Sequence, residues 1–143
     1  MTAPVVTINT KSRSERLRPL VVGAGLTAAA TLALHFRDPH VSGSWGYCPW
    51  LLLTGTTCPG CGALRAVNDL TNFDLYSAAS SNLLFVLAVP VIVGAWLVAV
   101  RRAWVGAAAQ PASQSARWPY VIAAVFVVFW VLRNLPGMEW LQP

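Results

Sequence analysis

Three cysteines, Cys48, Cys58 and Cys61, fall within the stretch YCPWLLLTGTTCPGCG (Tyr47 to Gly62) and are the whole thiol content of the chain. The last two stand in a C-P-G-C spacing. Thiols so placed can anchor a haem, clasp a metal, exchange electrons or close a disulfide. Covalent haem attachment needs a histidine directly after the second cysteine, and Gly62 stands there. A structural zinc site takes four ligands. The cysteines supply three, and His35, His40 or Asp69 would have to be the fourth, with neither histidine at ligand spacing. A catalytic pair would exploit a thiol pKa lowered at a helix N-terminus, but nothing else of a thioredoxin-like βαβ unit accompanies it. The favoured reading is a structural brace. One disulfide, from Cys48 to Cys58 or to Cys61, would close a loop of about a dozen residues and stabilise it by about 3 kcal/mol. The third cysteine would then be a small buried apolar residue or serve in exchange. No cofactor and no catalytic residue is expected, and a metal or redox site on Cys48, Cys58 and Cys61 is the alternative.

The compartment matters to this choice, and composition speaks to it. Of 143 residues, 56% are hydrophobic and only 10% charged, with seven tryptophans, where soluble proteins carry roughly 25% charge. Such a chain cannot cover a globule with polar surface. It reads as an integral membrane protein. The net charge of +5 comes from basic residues scattered at segment ends, without a run long enough to track phosphates, so nucleic acid is not an expected partner. No small-residue cleavage site follows a short apolar core, so no removable signal peptide is expected.

Three apolar runs predict an all-α fold of three transmembrane helices. Leu20–Phe36 has 17 residues without a charge, and its Gly23, Gly25 and Ala28–Ala30 make it a thin helix suited to close packing against protein. Leu83–Val100 has 18 and ends in Arg101 and Arg102, with Pro90 as the expected kink. Pro119–Leu132 has only 14, short for a span, and its flanking Arg117 and Arg133 are expected to lift their charged heads to the interface. Basic residues alternate along the chain: four before the first run, two, three, and one after the last. The positive-inside rule then puts the N-terminus in the cytoplasm and the C-terminus outside.

The expected organisation is a flexible cytoplasmic tail at 1–16, helix at 17–36, an outer-face segment at 37–81 and helix at 82–100. A cytoplasmic loop at 101–118, helix at 119–135 and an outer C-terminus at 136–143 follow. Trp45, Trp50, Trp104, Trp118 and Trp140 sit near span ends, as an aromatic belt would have them. The cysteines therefore lie outside the membrane, where disulfides persist.

Within the outer segment, PWLLLTG is expected to lie in the interface or dip into it. Pro59 and Gly60 turn the chain into a helix from Cys61 to about Leu70, with Leu64, Val67 and Leu70 on one face. Asp74 is the N-cap of the next helix. His35 is expected to anchor the end of the first span. Arg65 is expected to pair with Asp69 or Asp74, ahead of an anionic lipid or a partner.

The residues CPWLLLTGTTCPGCGALRA, then FDLYSAASSN, resemble an uncharacterised family of small bacterial membrane proteins, a domain of unknown function. Its signature is C-P-x(4)-T-G-x-x-C-P-G-C-G-x-T-R-A, then G-D and later N-P before an apolar span. Cys48, Pro49, Thr54, Gly55, Cys58, Pro59, Gly60, Cys61, Gly62, Arg65, Ala66, Asp74 and Asn82 carry the likeness. Leu64, Phe73 and Leu83 depart from it, standing at the family's Thr, Gly and Pro. The resemblance implies no catalysis, and it makes Arg65, Asp74 and Asn82 interaction candidates.

The Arg-, Ala- and Val-rich composition looks actinobacterial. Small proteins of this kind resemble accessory subunits of the respiratory supercomplex that joins cytochrome bcc to the aa3 oxidase. The function expected is thus a non-catalytic accessory subunit in the plasma membrane of a bacterium, partnered by lipids and respiratory proteins. The alternative is a stand-alone membrane protein with a cysteine-based site on its outer face.

Overall fold

A computed structural model describes residues 11–107 and 117–142. All regular structure among them is helical: α1 (Arg13–Phe36), α2 (Pro49–Thr54), α3 (Ala63–Thr71), α4 (Leu75–Val105), α5 (Trp118–Arg133) and a 3-10 turn at Glu139–Leu141. α1 and α4 are long and apolar enough to cross a membrane, whereas α5 is apolar but has 16 residues. At 1.5 Å per residue it reaches about 24 Å, short of the ~30 Å hydrocarbon core.

α1 starts earlier than its hydropathy implies, so the segment expected to be an unstructured tail to residue 16 is helical from Arg13. The cause is a reciprocal cap. Glu15 N–H donates to Ser12 Oγ (3.3 Å) while Ser12 N–H donates to the Glu15 carboxylate (2.7 Å), satisfying two backbone donors that a helix start otherwise leaves open. Residues 1–10, and 108–116 of the expected cytoplasmic loop, lie outside the described residues.

The long helices run antiparallel. Arg16 Nε donates to Ala103 O (2.8 Å) and Arg13 sits 4.6 Å from the Trp104 ring, which joins the start of α1 to the end of α4. At the other end, Asn68 Nδ2 of α3 donates to Leu34 O (2.8 Å), and His35 Nδ1 meets Thr71 Oγ1 (3.0 Å). His35 does anchor an end, but onto α3. The buried residues gather at this end and many of them are polar: Leu34, Pro39, Cys61, Ala66, Ala78 and Phe129 beside Asn68, Asp69, Ser81, Asn82 and Arg133. The apolar sides of α1, α4 and α5 stay exposed. Lipid is as apolar as a leucine side chain, so such faces have no need of burial, while buried polar groups hold the end together through hydrogen bonds.

On α3 the shared face of Leu64, Val67 and Leu70 is not the most buried one: Leu64 is exposed and Val67 and Leu70 are half-buried, while Ala66, Asn68 and Asp69 are buried. The polar face packs because the carbonyls closing α1 need a donor, which Asn68 supplies. α4 leaves helical geometry at Asn82 (φ −160°, ψ 91°), a break the sequence did not announce, and carries Pro90 inside its apolar part. The Asn82 side chain accepts from Phe85 N–H (2.9 Å) and so caps a second helix within the same element.

Candidate metal centre at the three cysteines

The cysteines arrive on two pieces of chain. Cys48 precedes α2, and Cys58 and Cys61 lie in the turn between α2 and α3. Pro49 opens α2, where its fixed φ suits a first helical turn. Gly55 (φ 69°) and Gly62 (φ 80°) take left-handed conformations at the end of α2 and the start of α3, which closes the loop back on Cys48.

The result is one compact set of sulfurs. Cys48 Sγ stands 3.5 Å from Cys58 Sγ, which stands 2.7 Å from Cys61 Sγ, and all three lie within 4.8 Å of one another. The disulfide brace expected between Cys48 and a later cysteine is not formed: none of the three is at the ~2.05 Å of a bond. Around an ion about 2.3 Å from each sulfur, tetrahedral sulfurs stand about 3.8 Å apart, so modest side-chain rotations suffice to seat one. His35, His40 and Asp69 do not join the set. His35 is engaged with Thr71, and His40 with Asp38 (2.9 Å) and Asp69 (3.4 Å).

The backbone of the loop is held from beneath by the break within α4 and by the C-terminal end of α5. Asn82, 1% exposed, donates from Nδ2 to Pro59 O (2.9 Å) and Cys61 O (3.0 Å). Arg133, 0% exposed, donates from Nη1 to Cys58 O (2.8 Å) and Cys61 O (3.1 Å), and from Nη2 to Leu141 O (2.9 Å). Its guanidinium lies 5.1 Å from the Phe129 ring. Asn134 accepts from Thr57 N–H (2.9 Å) and hydroxyl (3.0 Å) and donates to Thr57 O (2.9 Å). Arg133, expected to lift its head to the interface, points inward instead. Carbonyls in a tight turn have no helical partners, and a planar fork of donors meets several at once. Sequence reasoning missed Arg133 and Asn134. Their signal was two strongly polar residues directly after 14 apolar ones.

The remaining site residues fall as follows. Asp74 is the expected N-cap, accepting from Ser77 N–H (2.9 Å) and hydroxyl (2.7 Å), which holds its carboxyl below the usual range. Arg65 forms no ion pair with Asp69 or Asp74. Its Nε reaches Pro39 O at 3.4 Å, because Asp69 turns inward to Ser81 (3.0 Å) and His40.

Burial pushes the Cys61 thiol up to about 12, with the neighbouring Cys58 and Cys48 thiols adding to the rise. Cys48 moves the other way, lowered first by the Leu51 backbone N–H at the start of α2. In the metal-free protein near neutral pH, alkylation is therefore expected at Cys48 first. Cys61 should react at least about a hundredfold more slowly, as mass spectrometry of timed samples would read. For Cys61 the raised value means that the fold favours the neutral thiol. That contribution is intact below pH 9 and fades as pH climbs toward 12.

Just after α3, Phe73 has φ 62° and is 95% exposed. A side chain there strains a left-handed residue and contacts little. Phe73→Gly is expected to raise the unfolding free energy by about 1 kcal/mol, measured by denaturant titration in micelles.

Residues 48–96 match a family described as a protein of unknown function, DUF2752, which spans the cysteine loop, α3 and much of α4. No curated protein and no solved structure matches the chain.

Proposed function

We propose that this chain is a membrane-integral protein whose Cys48, Cys58 and Cys61 form one thiolate site for a soft metal ion. The observation that carries the reading is the convergence of all three sulfurs within 4.8 Å, on a loop whose carbonyls are clamped from two other helices. A single brace needs two cysteines and leaves the third unexplained. Soft thiolates select soft ions such as Cu(I) and Zn(II). The site belongs to the outer face of a bacterial plasma membrane, with the N-terminus inside and three crossings. The four, two, three, one alternation of basic residues supports that orientation. The return of the α5 C-terminus to the cysteine end supports the third crossing. A reporter active only in the cytoplasm should work after Arg117 and fail after Pro143.

The test is elemental analysis of the protein purified anaerobically from metal-replete cells, with thiols counted in parallel. About one soft metal per chain is expected, falling below a tenth in Cys58→Ser. Three reactive thiols without metal, or a Cys58–Cys61 disulfide in that anaerobic preparation, would overturn the reading.

A second reading, an accessory subunit of the actinobacterial cytochrome bcc–aa3 supercomplex, is supported by α1. A side chain at Gly23 or Gly25 would meet nothing within 4 Å, which leaves a small-residue face free for a partner helix. Gentle solubilisation followed by mass measurement tests it, and migration at the chain's own mass counts against it.

A further inference from the structure

The three thiols share one opening. Cys48, Cys58 and Cys61 all line a pocket of about 380 Å³ whose remaining wall includes Trp45, Tyr47 and Arg65. On the opposite side the loop is closed by Asn82 and Arg133, which take up the carbonyls of Cys58, Pro59 and Cys61. An ion seated among the sulfurs would thus have protein beneath it and a pocket above. Among the described residues, no histidine, aspartate or glutamate joins the three sulfurs as a fourth ligand. A structural zinc site is closed by four protein ligands. This one is neither closed nor four-fold.

Given the metal-site reading above, on which this rests, we infer that the site carries a monovalent soft ion, Cu(I), bound by three thiolates as exchangeable cargo that enters and leaves through the pocket. Cu(I) accepts three thiolate ligands without a fourth, whereas Zn(II) prefers four, and thiolate is the ligand class that Cu(I) favours. The pocket has room for an incoming thiol. Cys48 and Cys58 are half-buried where Cys61 is buried, and of the two only Cys58 sits in the turn whose carbonyls Asn82 and Arg133 clamp, so Cys48 is the sulfur placed to be replaced. Exchange then balances without redox. The incoming thiol gives up its proton as its sulfur binds copper, Cys48 takes a proton as it leaves, and copper remains Cu(I). Arg133 offsets part of the negative charge of the thiolates from below.

The experiment uses the full chain in detergent micelles, reduced and anaerobic. Cu(I) is presented on a bicinchoninate chelator and Zn(II) on a chromophoric zinc chelator, in separate titrations. One Cu(I) per chain is expected, at least a hundredfold tighter than Zn(II). X-ray absorption should show three sulfur neighbours, and glutathione should remove the copper within minutes. Cys48→Ser, with its fold checked by circular dichroism, should weaken Cu(I) binding about a hundredfold. Tighter binding of Zn(II), with a fourth nitrogen or oxygen neighbour, would overturn the Cu(I) assignment while leaving the metal site standing. Copper that resists glutathione would overturn the exchangeable role. Three free thiols that take neither ion would overturn both this inference and the reading beneath it.

Discussion

Replacing Arg133 by methionine is expected to lower the unfolding free energy by about 4 kcal/mol, while Arg101→Met changes it by less than about 0.5 kcal/mol. Both arginines end apolar helical stretches, and by sequence alone both are topological markers. Arg101 is exposed, whereas Arg133 is wholly buried and donates to three carbonyls. Methionine fills much of the volume and supplies no donor, so Cys58 O and Cys61 O lose a charged partner each in a site that water does not reach freely. Denaturant titration in micelles reads the loss. Limited proteolysis should show new cleavage between Tyr47 and Gly62 with α1 and α4 left intact. Arg133→Lys should recover only part of the stability, because a point ammonium cannot reproduce the fork. Equal and small effects at both positions would mean that Arg133 is an interface anchor after all.

Asn82→Leu should cost about 3 kcal/mol by the same measurement. The side chain does two jobs with its two ends: Nδ2 bonds Pro59 O and Cys61 O, and Oδ1 caps the membrane half of α4 at Phe85 N–H. Losing the cap is worth about 1 kcal/mol and losing the buried bonds the remainder. Asn82→Asp separates the two. It keeps the cap but turns a carboxylate toward two carbonyl oxygens, so it should be no better than leucine. Leu83→Pro, by contrast, should stay within about 0.5 kcal/mol of the parent. Position 83 is the first residue after the cap, where proline fits without loss of a helical hydrogen bond. A large penalty for Leu83→Pro with none for Asn82→Leu would show that α4 is continuous through this point.

These residues also mark where a linear reading ends. Hydropathy by itself locates α1 and the apolar part of α4, because lipid imposes a local requirement of about twenty apolar residues that no tertiary contact alters, and it finds α5 as a shorter apolar run. The capping rule likewise finds Asp74, since a cap is satisfied within one turn of its own helix. The C-P-G-C spacing and the nearby Cys48 single out the three cysteines for the same reason of locality.

What the three cysteines form was beyond that range. Whether Cys48 Sγ meets one sulfur or two depends on the left-handed turns at Gly55 and Gly62 and on three side chains that come from 21 to 77 residues away along the chain: Asn82, Arg133 and Asn134. An arginine after an apolar run looks the same in sequence whether its head rises to water or folds back onto a neighbour's carbonyls. Packing settles the matter, because the carbonyls of a tight turn must find donors once water is excluded. Asn68 turns inward for the same reason, donating to Leu34 O, while Asp69 turns inward to accept from the Ser81 hydroxyl and so leaves Arg65 without either acid. Lipid dictates where the apolar helices run along the chain. Unsatisfied backbone oxygen, visible only in three dimensions, dictates how their polar ends are tied into one site.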